Sequence, residues 1–236
     1  MNGIRKIMSL MNFKDSYSLS TRNQSFLNEF NWLAGKISLP SNALFIGFAY
    51  AGKDYRAFFN EAVQAFAQAH ISLTDLDPAN APTLISNAEM IVICGGDYNS
   101  FKTQMDAIRA GGYDPYAGIK ARIDNAIPVV SWNQGAGVLS PYIFVPPAQP
   151  TATGINASPI QIVCNYTNNQ QNKDSIKTFL LNNTGITEVI CQVNTVGGAG
   201  TAVRLEDNGS GILSSGTDPY PTIVHYKIVG GNLVEY

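Results

Sequence analysis

The sequence predicts an α/β protein, a three-layer α/β/α sandwich with a mainly parallel sheet and an antiparallel, β-rich C-terminal extension. Three observations carry that expectation. Near-continuous apolar runs of strand length recur at residues 42–48, 90–94 and 127–132, and segments with apolar residues at helical spacing lie between them. Beyond residue 187 the chain turns to short strand-like runs separated by glycine-rich or Asp/Asn-Gly turns. A strand that is apolar throughout is buried on both faces, so helices must cover both sides of its sheet, with right-handed crossovers.

Each element follows from its own pattern. Residues 7–11 form a first strand, and residues 42–48 (N-A-L-F-I-G-F) a second. Tyr55, Phe58, Phe59, Ala62, Val63 and Phe66 then repeat at helical spacing, which predicts an amphipathic helix over residues 55–69 with its phenylalanines in the core. Residues 71–76 make a short strand. Residues 90–94 (M-I-V-I-C) make another, ending at Gly95-Gly96, before a helix over residues 101–110 capped by Asn99 or Ser100. A helix over residues 119–126 leads to a strand over residues 127–132. The Pro-, Thr- and Gly-rich stretch 146–158 reads as a surface connection, residues 160–164 as a strand and residues 175–181 as a helix. The polar, amide-rich stretch 165–172 between those last two is too short to count as a disordered tract. The tail carries strands at residues 188–193, 201–205, 211–213, 222–229 and 232–236, and V-G-G-A-G-T at 196–201 reads as a hairpin turn.

Composition narrows the function classes. With 236 residues, 45% apolar and 14% charged, the chain can bury a sizeable core, and one domain spanning residues 1–236 is expected. A formal charge of −2 and no run of lysine or arginine leave no footprint for nucleic acid. Arg5 and Lys6 are followed by too short an apolar stretch for a signal peptide or a membrane span. Cys94, Cys164 and Cys191 are odd in number and set in apolar surroundings, which predicts packed thiols in a reducing, cytoplasmic compartment. Two distant histidines and scattered cysteines offer no metal site, and no cofactor is expected.

Ligands of parallel sheets bind beyond the carboxyl ends of the strands. Two such ends are conspicuous: Gly95-Gly96-Asp97 and the run V-V-S-W-N-Q-G-A-G-V-L-S-P at 129–141. The latter is a buried strand breaking into a turn of small residues, as in a hydrolase nucleophile elbow, but its apex is Asn133. An amide neither deprotonates nor attacks a carbonyl at neutral pH.

The segments A-L-F-I-G-F-A (43–49), N-A-E-M-I-V-I-C-G-G-D (87–97), S-W-N-Q-G-A-G-V-L-S-P (131–141) and I-Q-I-V-C-N-Y-T-N (160–168) resemble, in order and spacing, the peptidase E family. That family comprises aspartyl dipeptidases related to cyanophycinase, with a fold similar to class I glutamine amidotransferases. The resemblance covers about the first 170 residues. It implies a serine peptidase site, whose elbow G-W-S-A-G-A-N is matched here by S-W-N-Q-G-A-G. Asn133 then stands at the nucleophile position and Gln134 at the residue after it. Asn165 stands where Q-I-N-P-H-F-T carries the base. Counting from Asn133 without gaps puts Ala148 at the acid. The family's oxyanion-hole glycines persist as Gly95-Gly96, with Asp97 in place of an asparagine. In a triad hydrolase, losing the nucleophile or base alone lowers turnover by about a millionfold.

Three readings stay open. The first is a pseudoenzyme without peptidase activity, regulatory or binding a small peptide or amino acid, in which Gly95, Gly96, Asp97, Asn133, Gln134, Gly135 and Asn165 line a polar crevice. The second is an active dipeptidase or amidase with a relocated nucleophile, Cys94 first. The third is a structural, self-assembling homo-oligomer using the fold as scaffold. Ser131 and Ser140 read as packing residues, Trp132 as a buttress of the turn, His70 as a helix C-terminal residue and His225 as part of an exposed strand face.

Overall fold

The computed structural model describes residues 6–12, 19–47, 55–150, 152–158, 160–193, 201–207, 212–216 and 223–236. Its central sheet has seven strands. Five run parallel in the order β1 (Lys6–Asn12), β5 (Val129–Trp132), β4 (Ile91–Ile93), β2 (Asn42–Ile46) and β3 (Ser72–Asp75). At the β1 edge, β10 (Thr201–Asp207) and β11 (Ile212–Gly216) extend the sheet antiparallel.

Strand alternation sorts the apolar side chains onto two faces. Met8, Leu10, Leu44, Ile46, Ile91, Ile93 and Val129 point into one core. That face is covered by α3 (Ala81–Asn87), α4 (Tyr98–Ala110), α5 (Pro115–Asp124) and the short α6 (Gln134–Val138). Ile7, Met11, Phe45, Val92, Val130 and Trp132 point into the other, beneath α1 (Leu19–Ala34) and α2 (Tyr55–Gln68). The three-layer arrangement expected from the apolar runs is thus present. A second sheet holds β13 (Asn232–Glu235), β12 (Ile223–Val229), β9 (Val189–Val193) and β8 (Gln161–Tyr166), with β8 and β9 parallel and the others antiparallel. One face packs on α7 (Gln170–Asn182) through Val163, Tyr166, Ile176, Phe179 and Val189. The other face, through Ile162, Cys164 and Ile190, joins the core around α6. The helix that follows the elbow is therefore clamped between two sheets. Tyr142–Ile143 (β6) and Ala152–Thr153 (β7) pair as a small antiparallel ribbon below it.

Several expectations are corrected. The cap of α4 is Asp97, whose carboxylate accepts from the Ser100 amide at 2.7 Å, and the helix starts ahead of Asn99 and Ser100. The antiparallel, β-rich C-terminal extension is present as expected, and it is divided: β10 and β11 join the central sheet while β9, β12 and β13 build the second. β9 and β10 lie in different sheets and do not pair with each other; residues 194–200, which hold most of the glycine-rich turn expected at 196–201, lie outside the described residues. The connection after Pro146 is not all surface, because Ile155, Ala157 and Ser158 are buried under α6. α7 begins within the amide-rich stretch, at Asn169, which caps it by accepting from the Asn172 amide at 2.9 Å. Phe66 is in the core and Phe59 half-buried against it, while Phe48 and the side chain of Phe58 lie outside the described residues.

Candidate functional site

Asn133 joins β5 to α6 with φ 50° and ψ −130°. A non-glycine residue at positive φ is strained by roughly 1–3 kcal/mol and persists only where its surroundings over-determine it. Here they do. The Asn133 amide donates to the Met11 carbonyl on β1 at 2.8 Å, and its own carbonyl accepts from the Ala136 amide at 2.9 Å. The same carbonyl accepts from the Cys164 thiol at 2.7 Å. Cys164 is held in turn by the buried Gln192, whose Oε1 lies 3.3 Å from the sulfur and whose Nε2 donates to the Leu10 carbonyl at 2.7 Å. A polar bridge through β8, β9 and β1 thus underpins the elbow.

The glycines flanking the apex are there for close approach. A Cβ on Gly135 would stand 2.5 Å from the Ile93 carbonyl oxygen, and one on Gly95 2.6 Å from the Asn133 Cβ. The β4 and β5 turns can meet only because both lack a side chain. Gly96 follows at φ 144°. From below, Trp132 buttresses the turn, buried edge-on against Phe26 with ring centroids 5.1 Å apart.

Asn165 sits in an irregularity of β8 between Val163 and Tyr166, with φ 55° and its side chain exposed. Its neighbour Cys164 reaches the Asn133 carbonyl, so the structure brings Asn133 and Asn165 to one strand-end region. Gln134 is half-buried at the start of α6 and Gly135 is buried behind it. Asp97 stands at the neighbouring β4 end, its carboxylate engaged as the α4 cap. Ala148 is not joined to them: its carbonyl lies 3.5 Å from the Ser175 hydroxyl on α7, and no described contact ties it to Asn133 or Asn165.

The histidines are elsewhere. His70 terminates α2 at φ 59°, just ahead of β3 and therefore at the amino edge of the parallel sheet, opposite the elbow. His225 pairs in register with Ile190 near the start of β9, and its Nδ1 lies 2.6 Å from the Glu188 carboxylate. Only 22% of that side chain is exposed, so it is a contact of Glu188 more than the open strand face expected. The His225 contact and a hydrogen bond from Tyr236 hold the Glu188 carboxyl below the usual carboxylate range.

The thiols are packed. Cys94 is fully buried in the α1/α2 core, with its sulfur 3.3 Å from the Gly95 carbonyl oxygen. Burial pushes the Cys164 thiol up to about 12 and the Cys191 thiol well above its ordinary value. Ser131, below the apex, is completely buried, and its hydroxyl has no hydrogen-bond partner among the described residues. The Ser140 hydroxyl accepts from the Ile162 amide at 2.9 Å, tying the end of α6 to β8. The bridge through Cys164 and Gln192 is the feature of this region that the sequence does not reveal, because no local pattern says which cysteine faces the elbow. Among the described residues no group of three or more His, Cys, Asp or Glu could hold a metal, and no helix is long and apolar enough to cross a membrane.

No protein-family model and no curated protein sequence matches the chain. Solved structures do. A crystal structure of a peptidase from an acI-B1 actinobacterium aligns with TM-score 0.61 at 16% identity, covering 100% of this chain and 96% of that one. A peptidase E candidate from Listeria monocytogenes aligns with TM-score 0.55 at 13% identity, covering 91% and 100%. At such identities the likeness establishes architecture alone: the chain has a peptidase E-like α/β fold, with a mainly parallel central sheet between helices and an added second sheet.

Proposed function

We propose that this chain is a non-hydrolytic protein on a peptidase E-like scaffold, binding a small polar ligand such as an amino acid or short peptide at the strand-end surface that carries Asn133 and Asn165. One observation carries the reading: a backbone with the torsions of a nucleophile elbow presents a carboxamide. A carboxamide donates and accepts hydrogen bonds, each worth about 0.5–1.5 kcal/mol net, but carries no nucleophilic lone pair that a base could release. Of the two histidines of the chain, His70 precedes β3 at the amino edge of the parallel sheet and His225 contacts the Glu188 carboxylate. Relocation of the nucleophile to Cys94 is disfavoured because its thiol is enclosed in the core.

Thermal melting in the presence of single amino acids and aspartyl dipeptides tests this. A ligand at about a hundred times its dissociation constant stabilises the native state by roughly 2.7 kcal/mol. At least one of these compounds is expected to raise the melting temperature in a dose-dependent way, and Asn133→Ala to abolish the rise. A flat response across the set, or an unchanged response in the variant, contradicts the reading.

A further inference from the structure

Closing a five-membered imide from an asparagine side chain onto the next residue's amide nitrogen requires Cβ and that nitrogen to eclipse about the Cα–C bond. In an L residue Cβ stands roughly 120° from the residue's own nitrogen, so the ring needs ψ of about −120°. Helix and strand, at about −42° and about +135°, are far from it. Asn133 is held at ψ −130°, within about 10° of the ring torsion. Both flanking peptide planes are fixed there, by the bond to Met11 on one side and by the bonds from Cys164 and Ala136 on the other. The reacting nitrogen belongs to Gln134, the first residue of α6, and first-turn amides have no acceptor within their helix.

We propose that Asn133 is a self-modification site, at which the Gln134 amide nitrogen displaces the side-chain ammonia to form a succinimide that water opens to aspartate or isoaspartate. In the first step the Gln134 nitrogen gives up its proton to solvent base and bonds to the Asn133 Cγ. The Cγ–Nδ2 bond then breaks, ammonia leaves with a proton from water, and the chain becomes about 17 Da lighter. In the second step one water adds across either imide carbonyl, breaking that C–N bond and leaving a carboxylate, about 1 Da heavier than the original. What remains for ring closure is rotation of one side chain, because the fold already supplies the backbone torsion that a free chain must search for. The product places a negative charge at the apex, which would turn that surface against anionic ligands. This inference rests on the elbow torsion and not on ligand binding, so a failed melting screen leaves it standing.

The chain carries its own controls. Asn80, Asn125, Asn169 and Asn183 have ψ of 11°, 23°, 166° and 68°. Asn2 and Asn208 precede glycine, where ring closure is sterically easiest in an unfolded chain. Peptide mapping with fragment-ion localisation, on the purified protein aged at mildly alkaline pH folded and in urea, reads each site separately. Asn133 is expected to react roughly five- to a hundredfold faster in the folded protein than in urea. The four control sites are expected to slow on folding. A rate at Asn133 that is equal or greater in urea overturns the proposal, as does an intact Asn133 in folded protein over the time that Asn2 and Asn208 react in urea.

Discussion

Asn133 and Cys164 together define the site at the scale of single residues. The identity of the apex and the scarcity of imidazole were legible in the sequence, since both are matters of composition and position. Cys164 was not, because its role depends on β8 lying against α6, a contact between elements far apart in the chain. The thiol gives a direct check. Only a thiolate is alkylated, and with Cys164 pushed up to about 12 roughly one molecule in ten thousand is ionised at pH 8. Iodoacetamide is expected to leave all three cysteines of the folded protein unmodified over the time in which it labels three in the unfolded chain; rapid native labelling of Cys164 would contradict the packing described. The linkage has a definite sign: a raised folded-state value means that stability is complete below about 9 and declines as pH rises from there towards about 12.

At the scale of elements, the strand β5, the helix α6 and the β4 turn meet through residues without side chains. The short glycine-rich run announced this turn, and its tightness explains it: a Gly135 Cβ would collide with the Ile93 and Cys94 carbonyl oxygens at 2.5 and 2.7 Å. Gly135→Ala is therefore expected to destabilise by about 1–3 kcal/mol or more, lowering the melting temperature by about 2–4 °C per kcal/mol. Gly137, two residues further along the same buried helix, has nothing nearer than 3.7 Å to an added Cβ. Gly137→Ala should be neutral or stabilise by up to about 1 kcal/mol, and equal losses for the two would contradict the geometry. Other elements were less legible. Phe26, Phe30 and Leu33 of α1 do carry a helical repeat, but its first turn has no acidic residue and its last no basic one, and Glu29 finds its partner in Arg204, far along the chain. Asp97, immediately ahead of α4, is a cap by residue type, but its place beside Gly95-Gly96 at a strand end reads equally as a ligand position, and the sequence alone does not separate the two.

Across the whole molecule, the apolar runs predicted the parallel sheet and its two helical covers, because burial on both faces leaves a mark in each strand separately. The division of the C-terminal strands between two sheets leaves no such mark. Which strand pairs with which is decided by long-range contacts, here β10 on β1 and β9 on β8, and not by the local pattern of either partner. That division matters for the site. The second sheet delivers both Asn165 and Cys164 to the elbow, so a strained apex is held by elements from opposite ends of the chain. A scaffold that keeps this geometry around a carboxamide should bind without turnover. The measurement that bears on this most directly is hydrolysis of aspartyl dipeptides by freshly purified protein, followed by release of free aspartate. No release above the uncatalysed background is expected, whereas turnover within the ordinary enzymatic range of about 1–1,000 per second would contradict the account.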